Sequence, residues 1–120
     1  MALDAGDFLD ELDRASPEFG RLVSEHLIEQ EGELLLHLLV ADIRRVAEGA
    51  YERRDRQTIR QCLDVMELGL RDGDYPVQNA VAVSFVEDII FGLPRRALRA
   101  WPPTLQAEAK RTLAWRPGEP

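Results

Sequence analysis

The stretch PVQNAVAVSFVEDIIFG, residues 76–92, indicates the architecture of this protein because so few of its side chains are polar. Between residues 80 and 86 the only polar side chain is that of Ser84. Apolar residues recur every four positions on two neighbouring faces: Val77, Val81, Phe85 and Ile89 on one, and Ala82, Val86 and Ile90 on the other. A helix that is apolar around so much of its circumference is buried, so this segment is predicted to form the centre of the domain.

The same segment also alternates, with Val81, Val83 and Phe85 on one side, as a buried strand would. We favour a helix because the run is as long as a typical globular helix and longer than a typical strand. Its ends agree with this interpretation. Asp74 and Pro76 are typical of a helix start, and a glycine and a proline follow at residues 92 and 94.

Further amphipathic segments surround the central one. Helices are predicted at residues 4–15, 17–30, 33–53 and 56–71 before it, and at 95–101 and 104–115 after it. Ser16 and Asp55 are suitable N-cap residues, and Gly32 is expected to end the second helix or to form the corner after it. The sequence therefore predicts an all-α fold, with one domain of six or seven helices over residues 1–116 around a buried helix near 76–91, and a disordered tail at 117–120. Paired helical hairpins, including a HEAT-like arrangement, fit this pattern.

Charge narrows the class of partner. The net charge is −7, which argues against nucleic acid or an anionic membrane as the main partner. Residues 1–33 hold ten carboxylates against two arginines, a net of −8, so this third of the chain suits a basic protein. A single cysteine, no secretion signal and no apolar run of roughly 18 residues predict a cytoplasmic protein that does not cross a membrane.

No catalytic motif is found. His26 and His37 lack the Glu-x-x-His spacing of di-iron bundles and the His-Glu-x-x-His spacing of zinc hydrolases. Cys62 lies on the apolar side of its helix, and Ser84 lacks the glycines of a nucleophile elbow. We therefore predict no enzymatic activity, no catalytic residues, no metal and no cofactor. The histidines are expected at a core edge and at a helix surface, each with a hydrogen-bonding partner; a metal-dependent enzyme using either one is the alternative.

Carboxylates that border the two most apolar helices are predicted to pair with arginines of neighbouring helices, namely Arg44, Arg45 or Arg60, and so fix helix register. The alternative is that they border a groove that faces a partner. These carboxylates are Asp42, Glu87 and Asp88.

Two stretches together suggest a family: EGELLLHLLVADIRRVAEG at 31–49 and LDVMELGLRDGDYPVQNAVAVSFVEDI at 63–89. They resemble small acidic all-helical bacterial proteins that act as immunity proteins beside polymorphic or contact-dependent toxins. The likeness rests on apolar spacing and on Glu33, His37, Asp42, Asp74, Asn79, Ser84 and Glu87. It implies a protein that binds and neutralises a cognate toxin.

Carboxylates of the first two helices are the predicted contacts with that toxin, because they would steer a basic domain onto this surface. They are Asp7, Asp10, Glu11, Asp13, Glu25 and Glu29. The sequence does not identify the apolar anchor that such an interface needs. The alternative hypothesis is a homo-oligomeric helical scaffold or regulator, suggested by the wide apolar arcs of the third and fifth predicted helices.

Overall fold

The computed structural model describes residues 2–114, and these form one all-helical globule. Its α-helices are α1 (Ala5–Ala15), α2 (Pro17–Glu29), α3 (Leu36–Arg53), α4 (Arg56–Asp72), α5 (Tyr75–Ala80), α6 (Arg95–Arg99) and α7 (Pro103–Ala114). A π-helix, Val81–Glu87, continues α5, and a 3₁₀ turn, Ile90–Gly92, follows it. The all-α prediction is confirmed for these residues, whereas the predicted tail at 117–120 lies outside them.

Local sequence explains where most helices begin. Four helices start after a side chain that accepts a hydrogen bond from the backbone N–H three residues later: Asp4 from Asp7, Ser16 from Phe19, Asp55 from Thr58 and Asp74 from Val77. Each of these bonds satisfies a donor that the helix itself leaves free. Pro17 follows its N-cap at the first helical position, where a missing N–H costs nothing. The N-caps predicted at Ser16 and Asp55 are confirmed.

The predicted central helix is present, but it is not a uniform α-helix. Hydrogen bonds in an α-helix span four residues, and those in a π-helix span five. Four residues therefore make slightly more than one turn in α5 and slightly less than one turn in the π-helix. The two deviations have opposite sign, so they partly cancel along the segment. This explains why Val77, Val81, Phe85 and Ile89 all remain buried along the whole length.

The central segment packs against α3 and α4, which supply most of the other core residues. Fully buried side chains come from α1 to α5, the π-helix and α7, and include Phe8, Phe19, Leu39, Ile43, Met66, Phe85 and Leu105. α3 runs alongside the central segment in the same direction, because His37 lies against Ser84 and Arg44 lies against Asp88. These two elements therefore form the middle of the molecule, as predicted for the segment near 76–91.

Some helix boundaries differ from the predictions. α3 begins at Leu36 rather than at residue 33, and no side chain caps its first turn. Glu31 and Gly32 have positive φ angles of 54° and 86°, so the chain turns there and delays the next helix. α6 ends at Arg99 rather than at residue 101, with two prolines close behind.

The last helix is anchored by a residue far away in sequence. α7 begins with Pro103, which has no N–H, and the residue before it, Pro102, has no side-chain acceptor that could cap the helix. The buried carboxylate of Glu67, on α4, accepts hydrogen bonds from the N–H groups of Thr104 at 3.1 Å and Leu105 at 2.8 Å. A carboxylate at a helix N-terminus is favourable because the helix dipole is positive there. Glu67 thus fixes α7 against α4.

Candidate interaction surface

Three of the four carboxylates predicted on α1 share one exposed face. Asp7 closes a capping box with Asp4, since each residue's side chain accepts the other's backbone N–H, at 2.8 and 3.2 Å. Asp10 is exposed and forms no salt bridge within residues 2–114. Glu11 pairs with Arg14 one turn later on the same helix. Asp7, Asp10 and Glu11 therefore all reach solvent from the first three turns of α1.

The remaining predicted carboxylates are Asp13, near the end of α1, and Glu25 and Glu29 on α2. The carboxylate of Asp13 leans over Gly20, where the absence of a side chain leaves room for it. Glu25 pairs with Arg21 at 2.9 Å, and Glu29 is the exposed last residue of α2. Four of the six residues therefore lie on α1, and the other two, Glu25 and Glu29, lie on α2.

Most of this negative charge is not neutralised locally. Of the ten carboxylates at positions 4–33, only Glu11 and Glu25 form salt bridges with other residues of the described chain. Both pairs are exposed and join residues of a single helix, so each contributes little to stability. The other eight carboxylates leave a net negative surface over α1, α2 and the turn that follows.

Ile28 is an exposed apolar residue within this acidic surface, and sequence reasoning missed it. Its side chain is 77% exposed, the highest value among the large apolar residues of positions 2–114. It lies one turn after Glu25 on the same helix and directly before Glu29. A usable sequence pattern existed, because the α2 face that runs through Phe19 and His26 leaves Ile28 on the opposite side.

A second surface feature is a polar cluster between α3 and the π-helix. His37 Nδ1 lies 2.9 Å from the hydroxyl oxygen of Ser84, and its Nε2 lies 3.5 Å from the amide nitrogen of Asn79. Ser84 is buried, whereas His37 is exposed. Three of the seven residues that carried the family resemblance therefore meet here. The contact joins α3 to the π-helix, and π-helices are frequent at functional sites.

The other candidates for chemistry have structural partners. His26 is buried, and its Nε2 accepts the N–H of Leu35 at 3.0 Å, which holds the turn before α3. Cys62 is buried, and burial raises the pKa of its thiol to about 12, so it is a neutral core side chain at ordinary pH. Within residues 2–114, no three His, Cys, Asp or Glu side chains are grouped to hold a metal ion.

The carboxylates that border the apolar helices have different partners. Asp88 pairs with Arg44 across the α3–π-helix contact, at 3.4 Å, as predicted. Asp42 instead pairs with Arg45 on its own helix, so the prediction of a partner on a neighbouring helix is wrong for Asp42. Glu87 is exposed, and the described residues offer it no salt-bridge partner. Of these three carboxylates, only Asp88 therefore joins two helices in the described chain.

Comparison with known proteins assigns a family and no activity. The family model described as Domain of unknown function (DUF7674) matches residues 9–116. No curated protein and no solved structure matches the chain. Among residues 2–114, no helix has the length and apolar character that crossing a membrane requires.

Proposed function

Since the chain belongs to the DUF7674 family, whose description names no activity, we propose from its surface that it is a cytoplasmic immunity protein without enzymatic activity. It binds a cognate bacterial toxin and neutralises it. The observation that carries this proposal is the largely unpaired negative charge of α1 and α2 around an exposed isoleucine.

Charge provides the attraction between the two proteins. Asp7, Asp10 and Glu29 reach solvent without forming a salt bridge in the described chain, so their field extends outward. Complementary charge mainly raises the association rate and selects the partner, and its effect declines with salt. The partner that this surface fits is therefore a basic domain, such as one that acts on nucleic acid.

An apolar contact at Ile28 then holds the complex together. Interfaces derive most of their affinity from a few side chains that lose all contact with water, surrounded by a polar rim. Ile28 has this position, with Glu25 and Glu29 beside it. Burying such a side chain contributes about 1.5–3 kcal/mol.

The test is inhibition by stoichiometric mixing. The chain is co-purified with the product of the gene beside its own, and the activity of that product is measured at increasing ratios of the chain. We expect activity to disappear at a 1:1 ratio. A toxin that remains active in an equimolar mixture would refute the proposal.

Variants separate the two contributions. Glu25→Gln with Glu29→Gln should slow association about three- to tenfold at low salt, with little change in dissociation. Ile28→Ala should speed dissociation about 10- to 50-fold, since it removes the buried contact. Glu52→Gln, an exposed carboxylate on α3, is the control and should change neither rate. Equal effects of Glu52→Gln and the α2 pair would contradict the assigned surface.

Self-association is the second candidate, and a different surface favours it. Tyr75 and Phe91, at the two ends of the central segment, are 75% and 73% exposed, and Val83 between them is partly exposed. A homo-oligomeric scaffold would bury these three side chains together. Light scattering near 100 µM would detect a dimer with a Kd of about 10 µM, and a monomer at that concentration would exclude this candidate.

A further inference from the structure

A cavity of about 370 Å³ lies between the first turns of α4, the short helix α6 and the segment after it. Its apolar wall is formed by Tyr51, Ile59, Leu63, Ala97, Ala100, Trp101 and Pro102. The volume falls within the range of small-molecule sites, which are mostly apolar with a few fixed polar groups. None of the carboxylates assigned to the toxin interface contributes to it.

The aromatic end of the cavity is rigid and offers a free donor. The indole Nε1–H of Trp101 donates to the hydroxyl oxygen of Tyr51 at 2.9 Å. Trp101 is buried, and its ring also packs on Phe85 with centroids 6.0 Å apart. Since the Tyr51 oxygen accepts from the indole, its own O–H proton remains available, and residues 2–114 supply no acceptor for it.

Two arginines line the same cavity. Arg56 and Arg60 are one turn apart on α4, both are exposed, and neither forms a salt bridge within the described chain. Guanidinium groups bind carboxylates through paired hydrogen bonds that a neutral group cannot replace. Asp64, one turn after Arg60 on α4, also lines the cavity, and its negative charge would repel a bound anion.

We propose that this cavity binds a carboxylate carried on an apolar group. Arg56 and Arg60 hold the carboxylate, the Tyr51 hydroxyl donates to it, and the apolar group lies on Trp101, Ile59 and Leu63. This site goes beyond the proposed toxin binding. A free organic acid and the C-terminal carboxylate of a polypeptide share this chemistry, and the choice of probes distinguishes them.

The test uses the full chain carrying Trp115→Phe, so that Trp101 supplies the single indole N–H signal in a ¹H–¹⁵N spectrum. It is titrated with 3-phenylpropionate, a free acid, and with N-acetyl-L-phenylalanine, which resembles a peptide C-terminus. The corresponding neutral amides are the matched probes. We expect both acids to shift the indole signal saturably, and both amides to bind at least about tenfold more weakly. The tighter acid identifies the source of the natural ligand.

Variants give effects of opposite sign. Arg56→Gln and Arg60→Gln should each weaken binding of the acids about tenfold, while Asp64→Asn should tighten it about two- to fivefold. Arg96→Gln removes an exposed arginine of α6 that does not line the cavity, and it should leave binding unchanged. No saturable shift up to about 10 mM, equal binding of acids and amides, or equal loss in Arg96→Gln and Arg56→Gln would each overturn the proposal.

Discussion

Replacing Glu67 by alanine tests the cross-fold cap most directly. The change removes both acceptors of the first free N–H groups of α7, those of Thr104 and Leu105. Leu105 is fully buried, so water cannot easily replace the lost partner. Loss of an N-cap costs about 0.5–2 kcal/mol, and a hydrogen bond to a charged group contributes about 1.5–3 kcal/mol. Because burying the carboxylate itself costs free energy, we expect a net loss of about 2–3 kcal/mol.

The assay is reversible unfolding in urea and by heat. Unfolding entropy is about 0.25 kcal/mol per kelvin for a chain of 120 residues, so the expected loss lowers Tm by about 8–12 °C. Glu67→Gln keeps one carbonyl acceptor and loses the charge, and it should fall between the wild type and Glu67→Ala. Hydrogen exchange should report a selective loss of protection in the first turn of α7.

A matched variant controls for the loss of any glutamate. Glu52→Ala changes an exposed residue of α3 and should alter the free energy of unfolding by no more than about 0.5 kcal/mol. If Glu67→Ala were as mild as Glu52→Ala, or if the amides of α7 stayed protected, then Glu67 would not be the cap.

Three further changes have directions that the structure fixes. Gly69→Ala should lower the free energy of unfolding in urea by about 1–2 kcal/mol because the new methyl would lie 2.7 Å from the ring of Phe8. In the control Gly49→Ala the new methyl meets only the end of a flexible side chain, so this change should be neutral or stabilising. Equal effects of the two changes would refute the packing argument. The raised pKa of Cys62 favours the protonated thiol in the folded state, so its contribution to the free energy of unfolding is complete below pH 9 and is lost as pH rises towards 12. Cys62→Ala should flatten this fall in stability with pH. Thiol reagents that label the native protein at pH 8 would contradict the assignment of Cys62 as a buried, protonated thiol. His37→Ala leaves the buried Ser84 hydroxyl without its imidazole partner, so it should lower the free energy of unfolding by about 1 kcal/mol. Amide hydrogen exchange in the π-helix should also become faster. If neither change is observed, the contact of His37 with Ser84 does not stabilise the fold.

Partner properties could be predicted only in part. The sequence identified the acidic first third, and the structure leaves eight of its ten carboxylates without a salt bridge in the described chain. It did not identify Ile28: the helical period places this residue opposite the buried face of α2, but a single exposed apolar residue does not by itself indicate an interface. The cavity beside Trp101 was also invisible, since its walls come from three separate segments.

The helices, most of their starts and the buried faces could be predicted from the sequence, because N-caps and apolar periods involve residues only three or four positions apart. Tertiary structure alone decided the π geometry of residues 81–87, the contact of His37 with Ser84 across 47 positions, and the cap of Glu67 on Leu105 across 38. Such pairs form only after packing has brought distant helices together, and no local pattern specifies which residue a side chain will meet.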